Sequence, residues 1–148
     1  MTHKIHVTVS LLVCGFFLFL DQLLKYIVRH TQESTYYLLK PWIGWEYFEN
    51  PGIAFGIPVP QFLIIFLTPI IIILLIVWWM KKTDKNILFY LGTSLIIAGA
   101  ISNLIDRMLF SFTVDYLRVF TSVMNVADMM IVMGAGLLVV EEVKKNKK

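Results

Sequence analysis

Four stretches of this chain are long and apolar enough to cross a lipid bilayer, and that feature removes most folds from consideration. A spanning helix needs about 20 mostly apolar residues. Residues 7–28, 62–80, 87–105 and 123–140 each supply a run near that length. Only Thr68 and Pro69 break the second run, and the proline predicts a kink there. The third carries no charge. Hydrophobic residues make up 58% of the 148, above the share of an average soluble domain. The expectation is a single integral membrane domain over 1–148. It is mainly α, with four transmembrane helices and outer loops at 29–61 and 106–122.

Charge orients the spans. With four spans both ends lie on one side. That side collects Lys4, Lys81, Lys82, Lys85, Lys144, Lys145, Lys147 and Lys148, eight in all. The other side has five: Lys25, Arg29, Lys40, Arg107 and Arg118. The excess predicts cytoplasmic termini. Basic residues at span ends also account for the net charge of +3 without a nucleic-acid partner. The first run is too long for a cleaved signal peptide and lacks a small-residue cleavage site. The one cysteine, Cys14, allows no internal disulfide framework and no cysteine-rich metal site. The chain has no internal repeat of the kind that builds inverted-repeat transporters.

In that orientation four aspartates gather toward the outer face: Asp21, Asp106, Asp115 and Asp128. An acid at the centre of a span costs about 2.5–3.5 kcal/mol on insertion scales, so an intramembrane acid is a functional candidate by default. Asp21 and Lys25 form an i, i+4 pair that supports the helix. Asp106 and Arg107 suit a span end. Asp128 has few partners in its own run, and Asp115 stands just outside it.

The residue types limit the chemistry. The histidines lie at span ends, and no His-Glu-x-x-His helix is present for a zinc protease. Cys14 lies deep in the first run without a base. Carboxylate chemistry remains. Two aspartates close together share a proton. One takes a proton from water while the other polarises a carbonyl and protonates the leaving amine. That is aspartic proteolysis, with no metal or other cofactor. Two other uses stay open. Asp106, Asp115, Asp128, Asn103 and Asn125 are oxygen ligands suited to Mg²⁺, as in a metal-dependent membrane phosphotransferase. Intramembrane acids also line proton or ion pathways in proteins that are not enzymes.

Five motifs then come in order: "FLDQLLK" (Phe19 to Lys25), "ENPGIAFGI" (Glu49 to Ile57), "AGAISNLIDR" (Ala98 to Arg107), "VDY" (Val114 to Tyr116) and "MNVADMMI" (Met124 to Ile131). Together they resemble lipoprotein signal peptidase, the signal peptidase II family of bacterial inner membranes. The resemblance implies an aspartic endopeptidase that removes the signal peptide of a diacylglyceryl-modified prolipoprotein, cutting before the lipidated cysteine. It implies Asp115 and Asp128 as the catalytic pair. It implies Asn50, Gly52, Asn103, Arg107 and Asn125 as residues that hold substrate, and Asp21, Lys25 and Asp106 as supporting ones. It further implies a multi-pass monomer in contact with membrane lipid, with its active site toward the outer face, and a small β-sheet lying on that face. Tyr116 stands where the family usually has Phe, and Ala98 and Ser102 where it usually has glycine.

The residues fit such a sheet. "WIGWEYF" (Trp42 to Phe48) has strand-like composition, and "FSFTVDY" (Phe110 to Tyr116) alternates as a strand does. The loop between the first two runs is also rich in aromatics: Tyr36, Tyr37, Trp42, Trp45, Tyr47, Phe48 and Phe55. Such rings belong at a membrane interface. Gly52 beside Pro51 marks a turn where backbone approaches a ligand closely.

Overall fold

The chain begins with a 29-residue helix, α1 (Thr2–His30), and returns to helix three more times: α2 (Gln61–Lys81), α3 (Ile87–Phe110) and α4 (Val126–Lys145). The strands fall between them: β1 (Tyr36–Leu39), β2 (Ile43–Asn50), β3 (Thr113–Val119) and β4 (Ser122–Met124). This computed structural model describes residues 2–31, 35–53 and 57–147. Phe55, with its motif neighbours Ala54 and Gly56, lies outside the described residues.

By length and composition α1, α2 and α3 can each cross a membrane. The described part of the chain thus supports a mainly helical membrane protein with a small antiparallel sheet. α4 is of similar length but carries Asp128, Glu141 and Glu142 within it. α2 buries only Ile64 against the rest of the chain. Most of the other large apolar side chains of α2 are exposed, as they are in a helix solvated by lipid.

α3 packs against the other three helices. Its contact with α4 is close because glycines face backbone there. A Cβ at Gly99 would stand 2.5 Å from the Ala127 carbonyl oxygen, and one at Gly134 would stand 2.6 Å from that of Gly92. Cys14, Leu95, Ala98 and Met130 form the buried apolar cluster beside this seam. Asn86 caps the start of α3 by accepting from the Phe89 N–H at 3.1 Å. Ser111 ends α3 in the left-handed region, at φ 66°, with its N–H on the Arg107 carbonyl.

That sharp stop launches β3. The sheet order is β1-β2-β3-β4, with every neighbour antiparallel. Arg118 of β3 clasps Glu46 of β2 through both Nε (2.9 Å) and Nη2 (2.5 Å). Val114 and Tyr116 of β3 pack on Val28 of α1, so one face of the sheet is anchored to the helix bundle. The strand alternation in "FSFTVDY" does become a strand, but a later one than the pattern suggests. Phe110 closes α3, and β3 runs on to Val119. The outer segment expected over 106–122 is built of regular elements. Asp106 and Arg107 belong to the last turns of α3, and most of the remainder is strand. Apolar content alone also merged two elements over 123–140. Val123 and Met124 are in β4, and α4 starts only at Val126.

Candidate active site

The two halves of the site reach each other through strand register. Asn50 pairs with Thr113, and side chains two apart on a strand share a face. Asn50 therefore reaches Asp115 diagonally and donates to its Oδ2 at 2.9 Å. On the other side, the β3–β4 hairpin pairs Leu117 with Met124. The next residue, Asn125, comes back beside Asp115 and donates to its Oδ1 at 2.6 Å. Both carboxylate oxygens of a fully buried aspartate thus accept from amides.

Asn125 is also the N-cap of α4. Its Oδ1 accepts from the Asp128 N–H at 2.9 Å, and Asp128 Oδ2 accepts from the Asn125 N–H at 3.3 Å. This reciprocal capping box fixes Asp128 in the first turn of α4. The position is nearer the helix start than the apolar run had suggested, because β4 occupies the first part of that run. The other oxygen of Asp128 accepts from Asn103 of α3 at 2.9 Å. Asn125 Nδ2 also donates to Asn103 Oδ1 at 3.2 Å. The three asparagines thereby lace Asp115 and Asp128 into one network. Asp115 is wholly buried, while Asp128 is only half-buried. The pair has one dry member and one that faces outward.

Beneath this network lies a buried ionic layer. Lys25 meets Asp21 at 2.8 Å and Asp106 at 3.0 Å, and donates to Asn103 Oδ1 at 2.9 Å. The Asp21–Lys25 pair expected from spacing alone is thus one edge of a cluster that joins α1 to α3. Asp106 accepts from the Val114 N–H at 3.1 Å, which ties the end of α3 to β3. Gln22 and Ser102 complete the layer. Gln22 Nε2 donates to Ser102 Oγ at 2.8 Å, and Ser102 Oγ donates to Asp21 Oδ2 at 2.7 Å. Neither residue was singled out for such a role from sequence. The readable signal was a polar side chain inside an apolar run on the same side as Asp21 and Asp106.

The turn after β2 closes the site. Gly52 N–H donates to Asn50 Oδ1 at 3.0 Å, and Arg107 Nη2 donates to the Gly52 carbonyl at 2.9 Å. Arg107 also reaches Thr113 Oγ1. The structure thus brings Asp115, Asp128, Asn50, Gly52, Asn103, Arg107 and Asn125 to one place, with Asp21, Lys25 and Asp106 below.

Burial, followed by the nearby charge of Asp128, pushes the Asp115 carboxyl from an ordinary 3.8 up to about 7. Its two amide donors and Lys25 act in the opposite direction and lose. A protonated Asp115 is therefore available near neutral pH. Among the described residues, no three His, Cys, Asp or Glu side chains group as metal ligands. Amide N–H groups donate to all four carboxylate oxygens of the pair.

Fold and site together define a class: a multi-pass membrane protein with a hydrogen-bonded carboxylate pair where a small sheet meets a helix bundle. Comparison with known proteins narrows it. The chain belongs to the signal peptidase (SPase) II family of proteases, matched over residues 13–144. It is 32% identical over 133 residues to the lipoprotein signal peptidase of Caldanaerobacter subterraneus subsp. tengcongensis, covering 87% of this chain and 92% of the relative. It is 37% identical over 125 residues to that of Halothermothrix orenii, covering 81% and 85%. It also resembles a solved "Bacterial membrane enzyme structure by the in meso method at 2.3 A resolution". That match has a TM-score of 0.86 and 28% identity over 95% of this chain and 92% of the other.

Proposed function

We propose that this protein removes the signal peptide from diacylglyceryl-modified prolipoproteins, cleaving before the lipidated cysteine, and that Asp115 and Asp128 do the chemistry. Family membership supports the substrate class. The observation that carries the aspartic mechanism is that Asn125 hydrogen-bonds both aspartates, which come from a strand and a helix.

The pair holds one proton between its two carboxyls, and the proton belongs to the pair rather than to either member. The ionised carboxyl accepts a proton from water. The water oxygen attacks the scissile carbonyl carbon, and the protonated carboxyl hydrogen-bonds the carbonyl oxygen. When the tetrahedral intermediate collapses, the C–N bond breaks and a carboxyl gives its proton to the cysteine nitrogen. The signal peptide leaves with a new carboxylate, and the lipidated cysteine becomes the amino terminus. No cofactor enters these steps.

Asn50, Gly52, Asn103, Arg107 and Asn125 hold the substrate backbone and shape the pocket, while Asp21, Lys25 and Asp106 brace it. Four helices cross the bacterial inner membrane, both termini are cytoplasmic, and the site opens toward the outer face. Exposed Tyr36, Leu38 and Leu39 of β1 and Trp42 in the turn after it suit an interface where acyl chains stay in lipid and the peptide bond reaches the carboxylates. The working unit is a monomer. Cleavage of a synthetic diacylated prolipoprotein by purified protein tests this reading. Intact substrate after incubation with folded protein in lipid would overturn it.

A further inference from the structure

The first turn of any helix leaves main-chain N–H groups that need outside acceptors. In α4 each is met by a different part of the molecule. Asp128 N–H donates to the cap, Asn125. Ala127 N–H donates to Asp21 Oδ1 of α1 at 3.1 Å. Val126 N–H donates to the Tyr116 hydroxyl of β3 at 3.1 Å. The same hydroxyl donates its own hydrogen to Asp21 Oδ1 at 2.8 Å. One oxygen atom therefore joins β3, α1 and α4.

Its position gives that junction a consequence. Tyr116 adjoins Asp115 on β3, and Val126 lies two residues before Asp128 on α4. Tyr116 is fully buried, so water does not replace the hydroxyl if it is lost. Burial and the charge of Asp21 hold the phenol above its usual range, so it stays a donor at every working pH. The ring packs on Trp45, with centroids 5.0 Å apart, and that contact needs no hydroxyl. Packing alone would be satisfied by phenylalanine.

We propose that the Tyr116 hydroxyl is a positioning group for peptide cleavage: it gives the Val126 N–H its acceptor, and without one that N–H draws the first turn of α4, and so Asp128, out of place against Asp115. The proposal rests on the aspartic reading above. Tyr116 touches no reacting atom and acts through α4.

Substitution and rescue test it. Tyr116→Phe keeps the ring and leaves the Val126 N–H without an acceptor. Val126→Pro deletes that N–H. Proline is favoured at the first helical position, and Asn125 before it is already extended at φ −122° and ψ 174°. With diacylated prolipoprotein as substrate, Tyr116→Phe is expected to lower kcat roughly ten- to hundredfold, the range for a small misplacement of a reacting group. KM should stay within about twofold, since substrate contacts are elsewhere. Val126→Pro alone should retain activity, and adding it to Tyr116→Phe should restore most of kcat. A merely structural tyrosine would lower the melting temperature without this split or rescue. Unchanged kcat in Tyr116→Phe, an inactive Val126→Pro, or a double variant no better than Tyr116→Phe would each overturn the proposal. If Tyr116→Phe does not fold, the double variant decides alone: folded and active supports the proposal, unfolded overturns it. Absence of cleavage by the wild-type protein would instead defeat the aspartic reading itself.

Discussion

The side-chain amide of Asn125 donates to Asp115 at 2.6 Å, while its Oδ1 receives the main-chain N–H of Asp128. One residue thus orients a strand aspartate and caps the helix that carries its partner. Asn125→Ala removes both functions. Loss of an N-cap costs about 1 kcal/mol, and the buried Asp115 loses its shortest donor. The expected outcome is a modest fall in melting temperature with a fall in kcat of roughly a hundredfold. Thermal unfolding and steady-state kinetics on the same preparation check the two effects separately.

Acidity should mark the site in two ways. Asp115 titrates near 7 in the folded chain instead of near 3.8. Above about pH 7 the pair loses its shared proton, so kcat should fall along an alkaline limb near that value. The folded chain also keeps a proton between about pH 4 and 7 that the unfolded chain has released. Stability from this group is therefore greatest at the acid end and declines as pH rises through that window. Asp115→Asn should flatten the decline. Melting temperatures of both proteins at about pH 5 and pH 8 measure it, and equal slopes would contradict the assignment.

Lys25 is buried between Asp21 and Asp106 at 2.8 and 3.0 Å. Lys25→Met would leave two buried carboxylates without their cation. Breaking a buried pair by removing one partner costs on the order of 3–5 kcal/mol. The variant is expected to accumulate poorly and to unfold at a markedly lower temperature, as chemical denaturation in detergent would read. A stability near wild type would show that the ionic layer is not what holds α1 to α3.

Gly99 tests the seam under the site. A Cβ there would stand 2.5 Å from the Ala127 carbonyl, within the first turn of α4. Backbone on one side and helix on the other leave little room to yield. Gly99→Ala is expected to lower kcat by about tenfold or more, because it shifts the turn that carries Asp128. Gly136 lies in the same chain with open space around it, so Gly136→Ala serves as the neutral control.

Most of this site was legible in the sequence, and the reasons are physical. Acids in apolar runs are costly enough to be noticed, which exposed Asp21, Asp106 and Asp128. The five motifs, read together, supplied Asp115, Asn50 and the asparagines around them. What escaped was placement. "SVM" reads as apolar wherever it lies, so β4 was absorbed into the helical run and Asp128 seemed deeper than the first turn. Asp106 and Arg107 interrupt an apolar run that resumes at Met108, and α3 continues through them to Phe110 because the Lys25 cluster and Gly52 satisfy their side chains. The Tyr116 hydroxyl gave no warning, since a tyrosine in a strand needs no explanation until its partners are seen.

The central claim is that Asp115 and Asp128 form one metal-free catalytic pair. Cleavage of a diacylated prolipoprotein by purified protein, with a chelator present, tests it most directly, with Asp115→Asn and Asp128→Asn run beside the wild type. The expected result is full wild-type turnover and a loss of roughly a thousandfold or more in each variant, the scale of general acid–base catalysis. Normal turnover by either folded variant, or wild-type activity that appears only on adding metal, would contradict it.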